Sequence, residues 1–396
     1  MSEYLEIIGG ARLSGTVRIS GAKNAALPLM LASLLTPDEI VLENVPNLED
    51  VSLTLRLLEH FGAETAFEGG RVTIKAERLL ATEASYSLVK ALRASFWVLA
   101  PLLARGGAAR VALPGGDIIG ARPVDIHLDG LAKMGADLTV KHGVVYAAAP
   151  RGLKPARIEL RFPSVGATHQ LMMAAALVSG TTTIEGAARE PEVVALANLL
   201  NAMGAEIEGA GSSKIIICGK RELGGATQRL IGDRIEAGTY LLAGLATGGE
   251  VEARGIDPAF LGRFLNVLQS AGVYIETGQD FVRVKRGQNL IPITVSTGPF
   301  PELATDLQAP LLAFLSVIPG ESRIEETVFE GRFGHISELC RMGARITVEE
   351  LTAVVNGVEK LSGAPVDGHD IRAAASLVIA GVAADGVTQI FELAGC

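Results

Sequence analysis

Leu58-Glu-His-Phe-Gly-Ala63 returns along this chain as Leu131-Ala-Lys-Met-Gly-Ala136, Leu200-Asn-Ala-Met-Gly-Ala205, Leu268-Gln-Ser-Ala-Gly272 and Leu339-Cys-Arg-Met-Gly-Ala344. Each copy closes an apolar-periodic run with glycine and precedes a short strand-like stretch. The tag glycines 62, 135, 204, 272 and 343 are 73, 69, 68 and 71 residues apart, a spacing regular enough to mark a tandem repeat.

A second kind of helix alternates with the tagged one, rich in Ala and Leu and apolar nearly all round, at residues 23–35, 90–104, 164–179, 234–247, 305–318 and 370–384. Such helices are expected to be buried on every side. The tagged helices read as amphipathic and surface-facing. Pro46, Pro123, Pro191 and Pro258 stand in or just before their first turns, and the tag glycine is the residue past the end.

The repeating unit is therefore strand, apolar helix, strand, amphipathic helix, strand, strand. Three such units around a pseudo-threefold axis bury the apolar helices and leave sheets and amphipathic helices outside. The fold class is α/β (α+β), a two-domain inside-out α/β barrel of six repeats. Residues 21–231 are expected to form the N-terminal domain, and 1–20 plus 232–396 the C-terminal one, with strand-like Tyr4 to Ile8 and Thr16 to Ile19 joining the latter. There are six apolar helices and five tags. A sixth tag would fall at about residue 413, past Cys396, so the sixth repeat is incomplete.

Composition narrows the function. At 396 residues the chain exceeds a usual single core, and 48% hydrophobic against 20% charged residues describes a globular protein. A net charge of −9 without a basic stripe excludes a nucleic-acid surface. Cys218, Cys340 and Cys396 are scattered outside any metal-ligand spacing and fit a reducing cytosol. The N-terminus lacks the regions of a signal peptide, and the longest uncharged apolar run, Ala94 to Ala104, is too short for a bilayer. A soluble cytoplasmic protein follows. No Walker loop, dinucleotide fingerprint, His-Glu-x-x-His or Cys-x-x-Cys is present, which speaks against nucleotide hydrolysis, hydride transfer and zinc chemistry.

The starts of the apolar helices are unusual for core elements. They carry Lys23 and Asn24, Arg93, Ser164 and Thr168, Asp233 and Arg234, Thr305 and Asp306, Asp370 and Arg372. Capping accounts for the Ser, Thr and Asp residues. It does not account for Lys or Arg, which the positive end of a helix dipole disfavours unless an anion neutralises both. That pattern suggests an anionic substrate gripped between two domains. The loop from Leu113 to His127 is the other motif-like segment, with Gly115, Gly116 and Gly120 lending mobility and Asp117 and Arg122 its only charges before Pro123. On composition alone it reads equally as a plain turn.

Six segments resemble one family: Ile19-Ser-Gly-Ala-Lys-Asn-Ala-Ala-Leu-Pro28, Pro114 to His127, Ser164-Val-Gly-Ala-Thr168, Asp233-Arg-Ile-Glu-Ala-Gly-Thr239, Thr305-Asp-Leu-Gln308 and Phe329-Glu-Gly-Arg-Phe333. They are similar, in order and from about residue 5 to about residue 390, to the enolpyruvyl transferases that act on UDP-N-acetylglucosamine. The resemblance implies transfer of the enolpyruvyl group of phosphoenolpyruvate to the sugar 3-hydroxyl with loss of phosphate, the first committed step of peptidoglycan synthesis, by a cofactor-free monomer. It places Lys23, Asn24, Arg122, Arg332 and Arg372 around phosphoenolpyruvate. Arg93, Arg122, Pro123, Val124, Asp125, Ile126, Ser164, Val165, Asp306 and Val328 fall on the nucleotide sugar. Asp306 takes the hydroxyl proton, and Lys23, Arg372 and Asp117 complete the catalytic set. His127 is either a ligand contact or a structural support for one.

Three departures stand out. The family usually has a cysteine where Asp117 stands, the proton donor and the target of fosfomycin, so resistance to fosfomycin is expected. It usually has a lysine where Phe162 stands, a loss for which Arg161 could compensate. It continues past this chain's last residues into an arginine-bearing segment and a final tagged helix, whose loss would bare an apolar face and weaken stability, with residues 1–20 placed to shield part of it. Two alternatives remain: the sister enzyme that uses shikimate 3-phosphate, and an impaired paralogue that only binds UDP-N-acetylglucosamine.

Overall fold

The computed structural model describes residues 4–90, 92–115, 119 and 123–392. Asp117 and Arg122, two of the expected site residues, lie outside them. The chain divides into two compact units. One holds residues 20–116 and 122–231, the other 1–19 and 232–396, and Ile119 is grouped with the second.

Each unit is the repeat made solid. The N-terminal unit carries three four-stranded sheets, each with one parallel outer pairing and two antiparallel ones. In the first, Ala226–Arg229 runs parallel to Glu39–Glu43, followed by Arg71–Lys75 and Glu64–Glu68. The C-terminal unit has two more four-stranded sheets of this kind and one of three strands, in which Leu5–Ile8 and Pro365–Asp367 flank Val387–Phe391. Among the described residues, this sheet of the sixth repeat has three strands.

At the boundary, repeats exchange their leading strands. Ser14–Arg18 precedes the first apolar helix yet pairs in parallel with Glu250–Arg254 of the fourth repeat, while Ala226–Arg229 precedes the fourth and pairs with the first. Two chain crossings result, after Ile19 and after Ile231. Each unit thus completes one of its sheets with a strand from a distant part of the sequence.

The apolar helices occupy the interiors. Arg234–Ala246, Gln308–Leu315 and Ile371–Ala383 pack on one another, and every residue of Gln308–Leu315 is buried. All five tag glycines take positive φ, from 89° at Gly135 and Gly272 to 111° at Gly204, which a Cβ would strain.

Two local expectations are corrected. The helix expected over 90–104 is a turn at Tyr86–Val89, a 3-10 helix at Arg93–Val98 and an α-helix at Leu99–Gly106. Pro101 falls in the first turn of the α part, where its missing N–H costs nothing, and the same arrangement recurs at Pro310 after the 3-10 turn Thr305–Leu307. The tagged helix Pro191–Ala202 is not surface-facing: only Asn198, Asn201 and Ala202 are exposed. It packs against both Lys23–Ala32 and Val165–Ala176, so it is covered from two sides.

Candidate active site

The helix starts of the C-terminal unit show which aspartates cap and which does not. Asp233 accepts from the backbone N–H groups of Ile235 and Glu236, and Asp370 from those of Arg372 and Ala373. Both are caps in the ordinary sense. Asp306, by contrast, takes Arg332 Nη2 at 2.7 Å on Oδ1 and Arg372 Nη2 at 2.9 Å on Oδ2. Burial alone would raise its pKa. The charges of Arg372 and Arg332, the hydrogen bond from Arg332 and the charge of Arg234 outweigh that effect and hold the carboxyl well below the usual carboxylate range.

Two guanidinium groups therefore hold one carboxylate, with the charge of Arg234 acting on it as well, in a site whose Arg332 and Arg372 side chains are 5% and 16% exposed. Such a surplus of planar donors suits phosphate and carboxylate ligands, which match the guanidinium fork. Arg332 also donates from Nη1 to the Thr305 hydroxyl at 3.3 Å and lies over the Phe329 ring. The N–H of Val328 is held by Glu326 at 2.8 Å.

In the N-terminal unit, Lys23 opens the helix Lys23–Ala32 without a side-chain cap beside it, and its Nζ lies 2.8 Å from Asp50 in the first turn of Glu49–His60. Asn24 follows it, half-buried. Ser164 is the cap of Val165–Ala176, its Oγ accepting from Ala167 N–H at 3.3 Å. Val165 is the first helical residue. Asp125 begins Asp125–Lys133 and pairs with Arg161, whose other nitrogen approaches Asp129 at 3.8 Å. Burial acts to raise the Asp125 pKa, and Arg161 and the Ile126 N–H more than reverse it. Pro123, Val124 and Ile126 lie along this same helix start. Phe162 is 40% exposed. Arg161, the residue placed to make good its missing charge, is committed to Asp125.

Behind these starts is a buried polar cluster. His127 Nδ1 donates to Gln170 Oε1, and its ring meets Phe96 edge-on at 5.7 Å. Burial, against the Gln170 hydrogen bond and with the charge of Arg93 assisting, pushes His127 down to about 4. His169, edge-on to Trp97 at 5.3 Å, is likewise pushed down to about 4 by burial. Gly166 permits the packing: a Cβ there would lie 2.8 Å from Trp97 Nε1 and 3.1 Å from His127 Cε1. At 6% exposure His127 braces the helix start. Gly115 also has a packing reason, since a Cβ would sit 2.0 Å from the Lys90 carbonyl oxygen.

Sequence reasoning missed Asp50, Gln170 and Glu326. Each is an ordinary residue type in an ordinary helical or strand-end position, and only the tertiary pairing marks it.

Comparison with known proteins gives the family. The family model described as EPSP synthase (3-phosphoshikimate 1-carboxyvinyltransferase) matches residues 7–394. A protein of Azorhizobium caulinodans named UDP-N-acetylglucosamine 1-carboxyvinyltransferase is 51% identical over 98% of this chain and 93% of its own length. A protein of the same name from Xanthobacter autotrophicus is 50% identical with the same coverage. Among solved structures, the enolpyruvyl transferase NikO from Streptomyces tendae superposes with a TM-score of 0.88 at 27% identity, covering 99% of this chain and 94% of that one. EPSP synthase from Acinetobacter baumannii shares the fold, with a TM-score of 0.74 at 18% identity, covering 98% and 94%. These matches over nearly the whole chain define the class, an enzyme that transfers a carboxyvinyl group. The chain belongs to the enolpyruvyl (1-carboxyvinyl) transferase family.

Proposed function

We propose that this chain transfers the enolpyruvyl group of phosphoenolpyruvate to the 3-hydroxyl of UDP-N-acetylglucosamine, releasing phosphate and opening peptidoglycan synthesis in the cytoplasm. The observation that carries this reading is Asp306 held by Arg332 and Arg372. The names of relatives about half identical in sequence support the acceptor.

In this reading Asp306 removes the proton of the 3-hydroxyl as its oxygen bonds to C2 of phosphoenolpyruvate. Asp117 gives a proton to the methylene carbon, producing a tetrahedral ketal. A proton then leaves the new methyl group, the C2–O bond to phosphate breaks and the enol ether forms. Lys23, Asn24, Arg122, Arg332 and Arg372 hold the phosphate and carboxylate. Arg93, Pro123, Val124, Asp125, Ile126, Ser164, Val165 and Val328 hold the nucleotide sugar.

The two arginines also set the order of events. While both rest on Asp306 it is a poor base, because their charge stabilises its ionised form. The phosphate and carboxylate of phosphoenolpyruvate compete for the same guanidinium groups. As the arginines turn to the substrate, Asp306 regains proton affinity next to the hydroxyl it must deprotonate. Phosphate release that requires both substrates, and is lost in Asp306→Asn, tests the reading. Shikimate 3-phosphate in place of the nucleotide sugar is the control acceptor.

A further inference from the structure

Glu326 has no role in the chemistry above, yet it is 1% exposed and bonded on both oxygens. It follows the strand Glu321–Glu325. Oε1 accepts from the backbone N–H groups of Val328 at 2.8 Å and Phe329 at 3.1 Å, and Oε2 accepts from the Thr305 hydroxyl at 2.9 Å. Thr305 has then given its proton to Glu326 and turns a lone pair to Arg332 Nη1 at 3.3 Å. The same guanidinium reaches Asp306, which in turn reaches Arg372. Glu326, Thr305, Arg332, Asp306 and Arg372 form one continuous relay.

A buried carboxyl is a weak device for stability, since desolvation opposes each hydrogen bond it gains. A buried hydrogen-bonded network is, however, an effective way to fix direction, and here it holds both terminal nitrogens of Arg332 while its Nε has no partner among the described residues. Glu326 offers only acceptors to three donors, which dictates the sense of the Thr305 hydroxyl, and that in turn dictates which face of the hydroxyl meets Arg332. We propose that Glu326 is a positioning residue for carboxyvinyl transfer: acting through Thr305 it aims the Arg332 guanidinium, and thereby the Asp306 lone pair left for the acceptor hydroxyl. The inference rests on the reading of Asp306 as proton acceptor.

Glu326→Gln separates its two arms. The Val328 and Phe329 N–H groups demand an oxygen, so the amide oxygen stays with them and the amide nitrogen is turned to Thr305. There, donor would meet donor. Thr305 must accept from the amide and swing its proton towards Arg332, reversing the relay while the Val328 turn is kept.

The test is steady-state phosphate release with phosphoenolpyruvate and UDP-N-acetylglucosamine, with thermal melting measured alongside. Glu326→Gln and Thr305→Val should each lower kcat at least about tenfold, while KM for UDP-N-acetylglucosamine, which Arg332 does not hold, stays within about threefold. Thr305→Ser should restore wild-type kcat. The double variant should be no slower than the slower single one, because both break one relay. A Glu326→Gln enzyme within about twofold of wild type in kcat, or a double variant whose losses multiply, overturns the proposal. Should Glu326→Gln not fold, the Thr305 pair decides: Thr305→Val as active as Thr305→Ser overturns it. A wild-type chain that releases no phosphate refutes the functional reading itself and this proposal with it.

Discussion

Asp306 Oδ2 and Arg372 Nη2 meet at 2.9 Å although 66 residues of sequence separate them. They sit at the starts of two successive apolar helices, a repeat apart, so the repeat itself brings the pair together. Arg332, from the segment between the strand Glu321–Glu325 and the helix Ile336–Arg341, occupies the other oxygen of the same carboxylate.

Neutralising that carboxylate should have opposite effects on binding and on chemistry. In Asp306→Asn the arginines lose their internal anion, so phosphoenolpyruvate should bind several-fold more tightly in the absence of nucleotide sugar, while kcat falls about 10²–10⁴-fold. Calorimetric titration and phosphate release measure the two effects. Weaker binding in the variant would show that Asp306 does not compete for the arginines.

Arg372→Lys should not be conservative. A lysine keeps the charge but loses the fork that spans Asp306 and an incoming anion, so KM for phosphoenolpyruvate should rise about ten- to a hundredfold, with the melting temperature shifted little. An unchanged KM would remove Arg372 from the anion site.

Buried histidines make stability depend on pH. His127, His169 and His335 are each pushed down to about 4 by burial, from an ordinary value of 6.5. The unfolded chain takes up these protons below about 6.5 and the folded chain does not, so stability is present above that pH and is lost as pH falls towards about 4. The slope is about 1.4 kcal/mol per pH unit for each histidine. Urea midpoints at pH 7, 6, 5 and 4.5 should fall accordingly, and His169→Phe should flatten the slope by about one histidine's share.

Asp117 should leave the enzyme resistant to fosfomycin, because a carboxylate is a far weaker nucleophile than a thiolate. Incubation with the compound should cause no time-dependent loss of activity in the wild type. Asp117→Cys should be inactivated irreversibly and Asp117→Asn should be nearly inactive. A fully active Asp117→Asn would remove the proposed proton donor.

The core sets the last expectation. Phe314 is fully buried within Gln308–Leu315, the helix that follows Asp306, and Phe314→Ala should cost about 3–5 kcal/mol of the C-terminal unit's stability in urea unfolding.

The repeat made most of the fold legible. Period, tag glycines and all-round apolar helices are properties of local sequence, and they carry directly into sheets and buried helices. The candidate site was legible where charge violated local preference: Lys23, Arg234 and Arg372 stand at helix starts, where the dipole disfavours them. It was not legible where function is shared through tertiary contact. Glu326 reads as a polar residue at a strand end, and Gln170 as an interruption of an apolar helix. Asp306 itself looks like the capping aspartates 233 and 370 until its partners are seen to be guanidinium groups. The strand-like stretch at Thr16 to Ile19 is expected in the C-terminal domain, but the pairing of Ala226–Arg229 with Glu39–Glu43, 186 residues away, is encoded by no local pattern.

Release of inorganic phosphate from phosphoenolpyruvate by the purified chain, with UDP-N-acetylglucosamine or shikimate 3-phosphate as acceptor, is the most direct measurement. Carboxyvinyl transfer to the nucleotide sugar predicts release with UDP-N-acetylglucosamine alone, abolished in Asp306→Asn. Release with shikimate 3-phosphate instead, or tight binding of UDP-N-acetylglucosamine with no release, would contradict it.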